Sequence, residues 1–110
     1  MFDPFDVVVV PFPYSDRLAE KRRPALVISH SDLPRTLGRV WVAMITSVPG
    51  GSLGDVTLRD LASAGLPAAS ILRSSKIATL DAGRVLRKLG RLSATDEAQA
   101  RAALSACAGF

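Results

Sequence analysis

Asp6-Val7-Val8-Val9-Val10-Pro11-Phe12-Pro13 is the stretch that decides the fold class of this chain. Four consecutive β-branched residues favour extended backbone, because two heavy atoms on Cβ suit a pleated surface better than a helical turn. Pro11 and Pro13 carry no N–H for a ladder, so the second half of this strand is expected at a sheet edge or a bulge. Working outward, residues 14–22 are polar and charged without apolar periodicity and read as an exposed, mobile loop. Residues 24–29 (PALVIS), 39–47 (RVWVAMITS) and 55–58 (DVTL) are the next predicted strands, the second of these ended by Pro49-Gly50-Gly51. Gly65-Leu66-Pro67 marks a turn, and residues 70–73 and 76–80 read as one or two further strands. Asp81 is expected to cap a short helix running to about Lys88, with Gly90 as its stop. Ser93-x-x-Asp96 opens the last helix in the manner of a capping box. Ala100, Ala103, Leu104 and Cys107 then repeat on one helical face.

Short strands with proline and glycine punctuation, followed by one or two late helices, describe an α+β, mainly β domain covering residues 1–110. They favour a curled, barrel-like sheet over an open parallel one. The composition, 48% hydrophobic and 22% charged over 110 residues, excludes a disordered or fibrous chain. Cys107 is the only cysteine and His30 the only histidine, which excludes an intrachain disulfide framework, a cysteine zinc site and paired-histidine metal motifs. No phosphate loop, dinucleotide fingerprint, HExxH or nucleophile elbow is present, so no metal or cofactor is expected. The N-terminus lacks the pattern of a signal peptide, and no apolar run reaches the roughly 18 residues that span a bilayer. A cytoplasmic protein with no membrane partner is the expectation.

The charge is uneven. Of a net charge of +4, residues 73–91 hold Arg73, Lys76, Arg84, Arg87, Lys88 and Arg91 against Asp81 alone. A second cluster joins Arg17, Lys21, Arg22 and Arg23. Such asymmetry suits a polyanionic partner as well as a solvated basic face. Pro24 restricts Arg23 to extended backbone, so its side chain leaves the strand in a defined direction. A guanidinium there forks onto phosphate oxygens, or is simply a strand-end surface group. Thr46 and Ser47 end a strand before a glycine-rich break, where hydroxyls bond a ligand phosphate or cap the turn. Arg73 sits between apolar residues and needs either a salt bridge or a site facing solvent. His30 follows a strand and is a residue type that can carry a proton in a site, though such a position is often plain surface. Trp41, with apolar neighbours on both sides, is expected in the core.

Six collinear segments together carry a family resemblance. They are residues 6–16 (DVVVVPFPYSD), residues 21–29 (KRRPALVIS) with 44–47 (MITS), residues 65–73 (GLPAASILR), residues 76–81 (KIATLD) and residues 89–93 (LGRLS). This ordered set resembles the MazF/PemK family of toxin endoribonucleases and spans nearly the whole chain. The resemblance implies an SH3-like barrel of five to seven short strands with a C-terminal helix, acting as a homodimer. It implies metal-independent cleavage of single-stranded RNA and inhibition by a cognate acidic antitoxin. Arg23, Thr46, Ser47 and Arg73 are then the candidate catalytic residues, and Arg17, Lys21, Arg22 and Lys76 the candidate RNA-binding ones. Two departures stand out. Many members have glycine where this chain has Phe5, and in the Kid/PemK branch an arginine is followed two residues later by aspartate, where Arg73 is followed by Ser75.

The chemistry this implies is attack of an RNA 2′-hydroxyl on the adjacent phosphate. Arg23 suits the charge that builds on the non-bridging oxygens, and Thr46 can fix the phosphate by hydrogen bond. Arginine is a poor acid or base, and with Ser75 in place of a carboxylate the proton carriers are not evident. Positioning and electrostatics are therefore expected to dominate, with His30 or the loop before Arg23 assisting. Two rivals belong to other classes. A CcdB-like gyrase inhibitor would resemble a Trp-Gly-Ile chain end, against Ala108-Gly109-Phe110 here, and a non-catalytic barrel would bind nucleic acid or protein without cleavage.

Overall fold

The computed structural model describes residues 2–12 and 21–110. Six strands, β1 (Asp6–Phe12), β2 (Lys21–Val27), β3 (Arg39–Thr46), β4 (Asp55–Thr57), β5 (Ile71–Asp81) and β6 (Arg87–Arg91), form one antiparallel sheet in the order β4-β5-β3-β2-β1-β6. Two short helices, α1 (Leu33–Leu37) and α2 (Leu61–Ala64), lie in the connections, and α3 (Ala94–Ala108) closes the chain. Among the described residues no helix is long and apolar enough to cross a membrane.

The valine run reads as almost unbroken hydrophobicity because both faces of β1 are covered. Val7 packs with Leu26, Ala43, Ile45, Leu72 and the helices on one face. Val8 and Val10 pack with Ala25, Val27, Val40, Val42 and Met44 on the other. In keeping with the missing N–H of Pro11, β1 pairs with β6 only from Asp6 to Val9, so Val10, Pro11 and Phe12 pair with β2 alone. The edge expected in the second half of this strand is found there, from Val10 to Phe12.

The sheet curls because its two edges are brought together. α2 follows β4 at one edge yet rests on β6 at the other. A Cβ on Gly90 would lie 2.3 Å from the Ser63 carbonyl oxygen, and one on Gly65 would lie 2.1 Å from that of Leu89. Gly90 therefore does not stop a helix. It lies inside β6, where only glycine admits the α2 backbone.

The helix expected from Asp81 to Lys88 reduces to a single 3-10 turn, Ala82–Arg84. The Asp81 carboxylate makes no cap there. It accepts from Arg39 Nη1 at 2.6 Å, across the β3–β5 pairing, and the chain then turns at once into β6 to cover β1. The one or two strands expected at 70–80 are one, β5. Its residues 74–76 fall between Ile77, opposite Ala43, and Arg73, opposite Met44, as a bulge. Trp41 is not core but 48% exposed. It shares the pleat of Ala43 and Ile45 but sits past the end of their cluster, beside Thr79. The last helix starts as expected, with Ser93 Oγ accepting from Asp96 N at 3.2 Å. The Asp96 carboxylate does not complete the box. It is buried and accepts from the N–H groups of Arg59 and Asp60, tying α3 to the start of α2.

Phe5 explains its own departure from glycine. Its φ is +72°, a conformation that a Cβ makes costly by about 1–3 kcal/mol. The ring is buried in the inner core under the Arg101 guanidinium, 4.6 Å from the ring centroid, and its N–H donates to Val27 O at 2.7 Å. Burying a phenylalanine contributes about 1.5–3 kcal/mol, enough to offset the strain.

Candidate active site

The ladder between β2 and β3 stops at Ala25–Met44. Two residues further along the same register stand Arg23 on β2 and Thr46 on β3, and both line a cavity of about 530 Å³ at this end of the sheet. Arg22 and Ser47 line it too, and Arg87 enters from β6. Its floor and far wall are apolar, made by Val9, Pro24, Ile45, Leu66, Pro67 and Leu89. Three guanidinium-bearing residues over an apolar floor form a cleft for an anion joined to a flat or apolar group.

Local chemistry places each group. Pro24 stands opposite Val9 and holds Arg23 in extended backbone where β2 leaves its pairing with β3. Thr46 is buried, and its Oγ1 accepts from Val48 N at 3.2 Å. The hydroxyl therefore caps the turn, yet its own proton remains free to donate into the cavity. Ser47, next along the chain, is exposed at the rim.

Not every candidate converges here. Arg73 does not line the cavity. Its Nε donates to Asp55 Oδ1 at 3.2 Å and its Nη2 to Asp55 Oδ2 at 3.4 Å, the salt bridge that an arginine among apolar residues called for. Asp55 also accepts from the N–H groups of Gly51 and Ser52, so the pair fastens the turn that leaves Ser47. Lys21 and Lys76 lie outside the cavity lining, Lys76 in the β5 bulge. Arg17 and the expected loop up to residue 20 lie outside the described residues, while Lys21 and Arg22 belong to β2 rather than to the loop. His30 lies beyond the far end of β2, seven residues from Arg23, or about 20 Å along the strand direction. Its Nδ1 accepts from Asp32 N at 3.0 Å, so it takes no part in this cavity. Among the described residues no Asp, Glu or His lines the cavity.

Two residues of this arrangement escape a reading by local pattern. Arg87 was visible only as one of several charges in a basic segment. Asp55 had no spacing signal at all, because its relation to Arg73 is a cross-strand one, β4 against β5. The Arg73 guanidinium, by hydrogen bond, holds the Asp55 carboxyl below its usual range, helped by Gly51 N–H and opposed by burial. A depressed carboxyl contributes stability that is complete above its unfolded value near 3.8 and is lost as pH falls through the lower folded value. The wild type is thus expected to lose thermal stability below about pH 4, and Asp55→Asn to lose that part of the pH dependence. At neutral pH the same variant is expected to be destabilised by about 1–3 kcal/mol, since it strands a mostly buried guanidinium. Thermal melts of both proteins from neutral to acid pH check this. Parallel curves would show that the pair contributes nothing.

A family described as PemK-like, MazF-like toxin of type II toxin–antitoxin system matches residues 3–107, and the chain belongs to that family. Solved structures agree. A MazF from Deinococcus radiodurans superposes with a TM-score of 0.78 at 26% identity, covering 98% of this chain and 96% of that one. An endoribonuclease in complex with its cognate antitoxin, from a mycobacterial species, superposes with a TM-score of 0.82 at 16% identity, covering 100% and 97%. The Mycobacterium tuberculosis toxin MazF-mt6 reaches 0.74 at 23% identity, covering 94% and 97%. The curled, mainly β sheet with a C-terminal helix is the fold they share. A comparison with curated proteins finds no match.

Proposed function

We propose that this chain is an endoribonuclease toxin that cuts single-stranded RNA by attack of the 2′-hydroxyl on the adjacent phosphate. The observation that carries the reading is the meeting of Arg22, Arg23, Arg87 and the Thr46 hydroxyl in one apolar-floored cavity. The 2′-oxygen bonds to phosphorus as the bond to the 5′-oxygen breaks. The proton lost by the former is made up on the latter, leaving a 2′,3′-cyclic phosphate and a 5′-hydroxyl. Arg23 meets the charge on the non-bridging oxygens, and Thr46 O–H fixes the phosphate. Arg73 acts from behind, through Asp55, by holding the turn after Ser47. The work of the site is positioning and charge neutralisation, which a guanidinium does without needing to transfer a proton.

The chain acts as a homodimer in this reading and is silenced by an acidic antitoxin whose carboxylates replace RNA phosphates at the arginines. Structures of relatives as complexes with an antitoxin support that partnership. Incubation with mixed-sequence RNA in EDTA tests the activity. Cleavage with cyclic-phosphate ends is expected. Intact RNA, or cleavage only after a divalent metal is added, would overturn the mechanism.

A further inference from the structure

We propose that Arg87 is a second phosphate anchor of this cavity, gripping an RNA phosphate next to the one that reacts. The assignment rests on the cavity being the RNA site and extends it to a residue on a different strand. The six cations between Arg73 and Arg91 look alike in sequence, but the fold separates them. Arg73 is held by Asp55. Lys88 and Arg91 both reach the buried Asp6 carboxylate at 3.2 Å, in a separate cavity. Lys76 and Arg84 do not line the RNA cavity, and Arg87 alone of the six does.

The cause is a register shift. β6 pairs Gly90 with Val7 but Lys88 with Val8, so Leu89 is the extra residue and Arg87 falls opposite Val9. Without that bulge Lys88 would stand opposite Val9, since a slip of one residue sends each side chain to the other face. Val9 is also the partner of Pro24. Arg87, Val9, Pro24 and Arg22 therefore share one face, with Arg87 and Arg22 on strands that flank β1, about 10 Å apart. Neither Arg22 nor Arg87 has a carboxylate partner among the described residues. Arg23, opposite Val10, belongs to the other face of β2 and lines the cavity from there. Arg22 and Arg87, two exposed guanidiniums on one face, repel each other unless an anion lies between. Arg23 sits at the Thr46 side, where the reacting phosphate is placed, so Arg87 faces the neighbouring phosphate across β1. The wall beside it, Val9 and Leu89, carries no side-chain hydrogen-bonding group to read a base edge, so the anchor acts on the backbone whatever the sequence.

The test measures binding of a mixed-sequence, 2′-O-methylated RNA pool across a salt series, and single-turnover cleavage of the unmodified pool at saturating enzyme. Arg87→Ala is expected to weaken binding several-fold and to lower the slope of log affinity against log salt by about 0.7, one single-strand phosphate contact. Arg87→Lys keeps the charge and is expected to restore the slope. A wild-type slope and affinity in Arg87→Ala overturns the anchor. A fall in saturated cleavage larger than the fall in affinity also overturns it, because Arg87 would then act on the reacting phosphate. If the wild type itself binds no RNA, the reading of the cavity fails as well, which separates that failure from the loss of the anchor alone.

Discussion

An RNA with a 2′-deoxy residue at the cut site is expected to be left intact, at a rate at least about 10⁵-fold below that of its all-ribose counterpart. The size of the effect follows from where the nucleophile comes from. A 2′-hydroxyl held in line with its own phosphate is an intramolecular reactant, and well-oriented intramolecular attack corresponds to effective concentrations of about 10⁵–10⁸ M. Removing it leaves water as the only nucleophile. Among the described residues no carboxylate or imidazole lines the cavity to activate that water. The measurement is single-turnover cleavage of two oligonucleotides that differ by one oxygen atom. Cutting of the deoxy substrate at a comparable rate would require attack by water and would sink the mechanism.

Arg23→Ala is expected to lower the saturated cleavage rate by about 10²–10³-fold, the loss that follows removal of one preorganised donor to a developing oxyanion. RNA binding should weaken far less, because Arg22 and Arg87 still line the same cavity and keep their charge there. Arg23→Lys should restore part of the rate, since an ammonium supplies charge without the planar fork. Thr46 gives a finer version of the same contrast. Its oxygen is pinned by Val48 N–H, leaving the hydroxyl proton to donate, so Thr46→Ser should keep most of the activity and Thr46→Ala should not. Single-turnover rates at saturating enzyme, set beside affinity for the uncleavable RNA, decide between chemistry and binding. If Arg23→Ala cuts at the wild-type rate once saturated, Arg23 only binds, and the active centre must be sought around Arg73 and Ser75.

The fold was legible where a local rule acts over a few residues. β-branching marked β1, the prolines marked where its pairing on one side ends, and the Ser93 cap with the Ala100–Leu104 face marked α3. Reading failed where a distant segment outbid local preference. Asp81 has the credentials of a helix cap, but Arg39 takes its carboxylate, and β1 needs a neighbour that only residues 87–91 supply. Gly90 looks like a stop until α2 is seen lying on it. Trp41 has apolar neighbours in sequence, but nothing in the chain order says where the inner cluster ends.

The site divides in the same way. Residue type and backbone restriction mark Arg23 before Pro24 and the Thr46-Ser47 hydroxyls as candidates, because the chemistry of a guanidinium and the sterics of a proline are local, but they leave a surface or turn-capping role equally open, and it is the family resemblance that assigns them to a site. What only the tertiary structure decided is which cations share a cavity. Arg73 and Arg87 lie in one basic segment, yet Asp55 on a neighbouring strand claims the first, and a one-residue bulge against β1 turns the second toward the cavity. Charge counts are blind to this, because the direction of a side chain in a sheet alternates with every residue, and register is set by the partner strand rather than by the strand's own sequence.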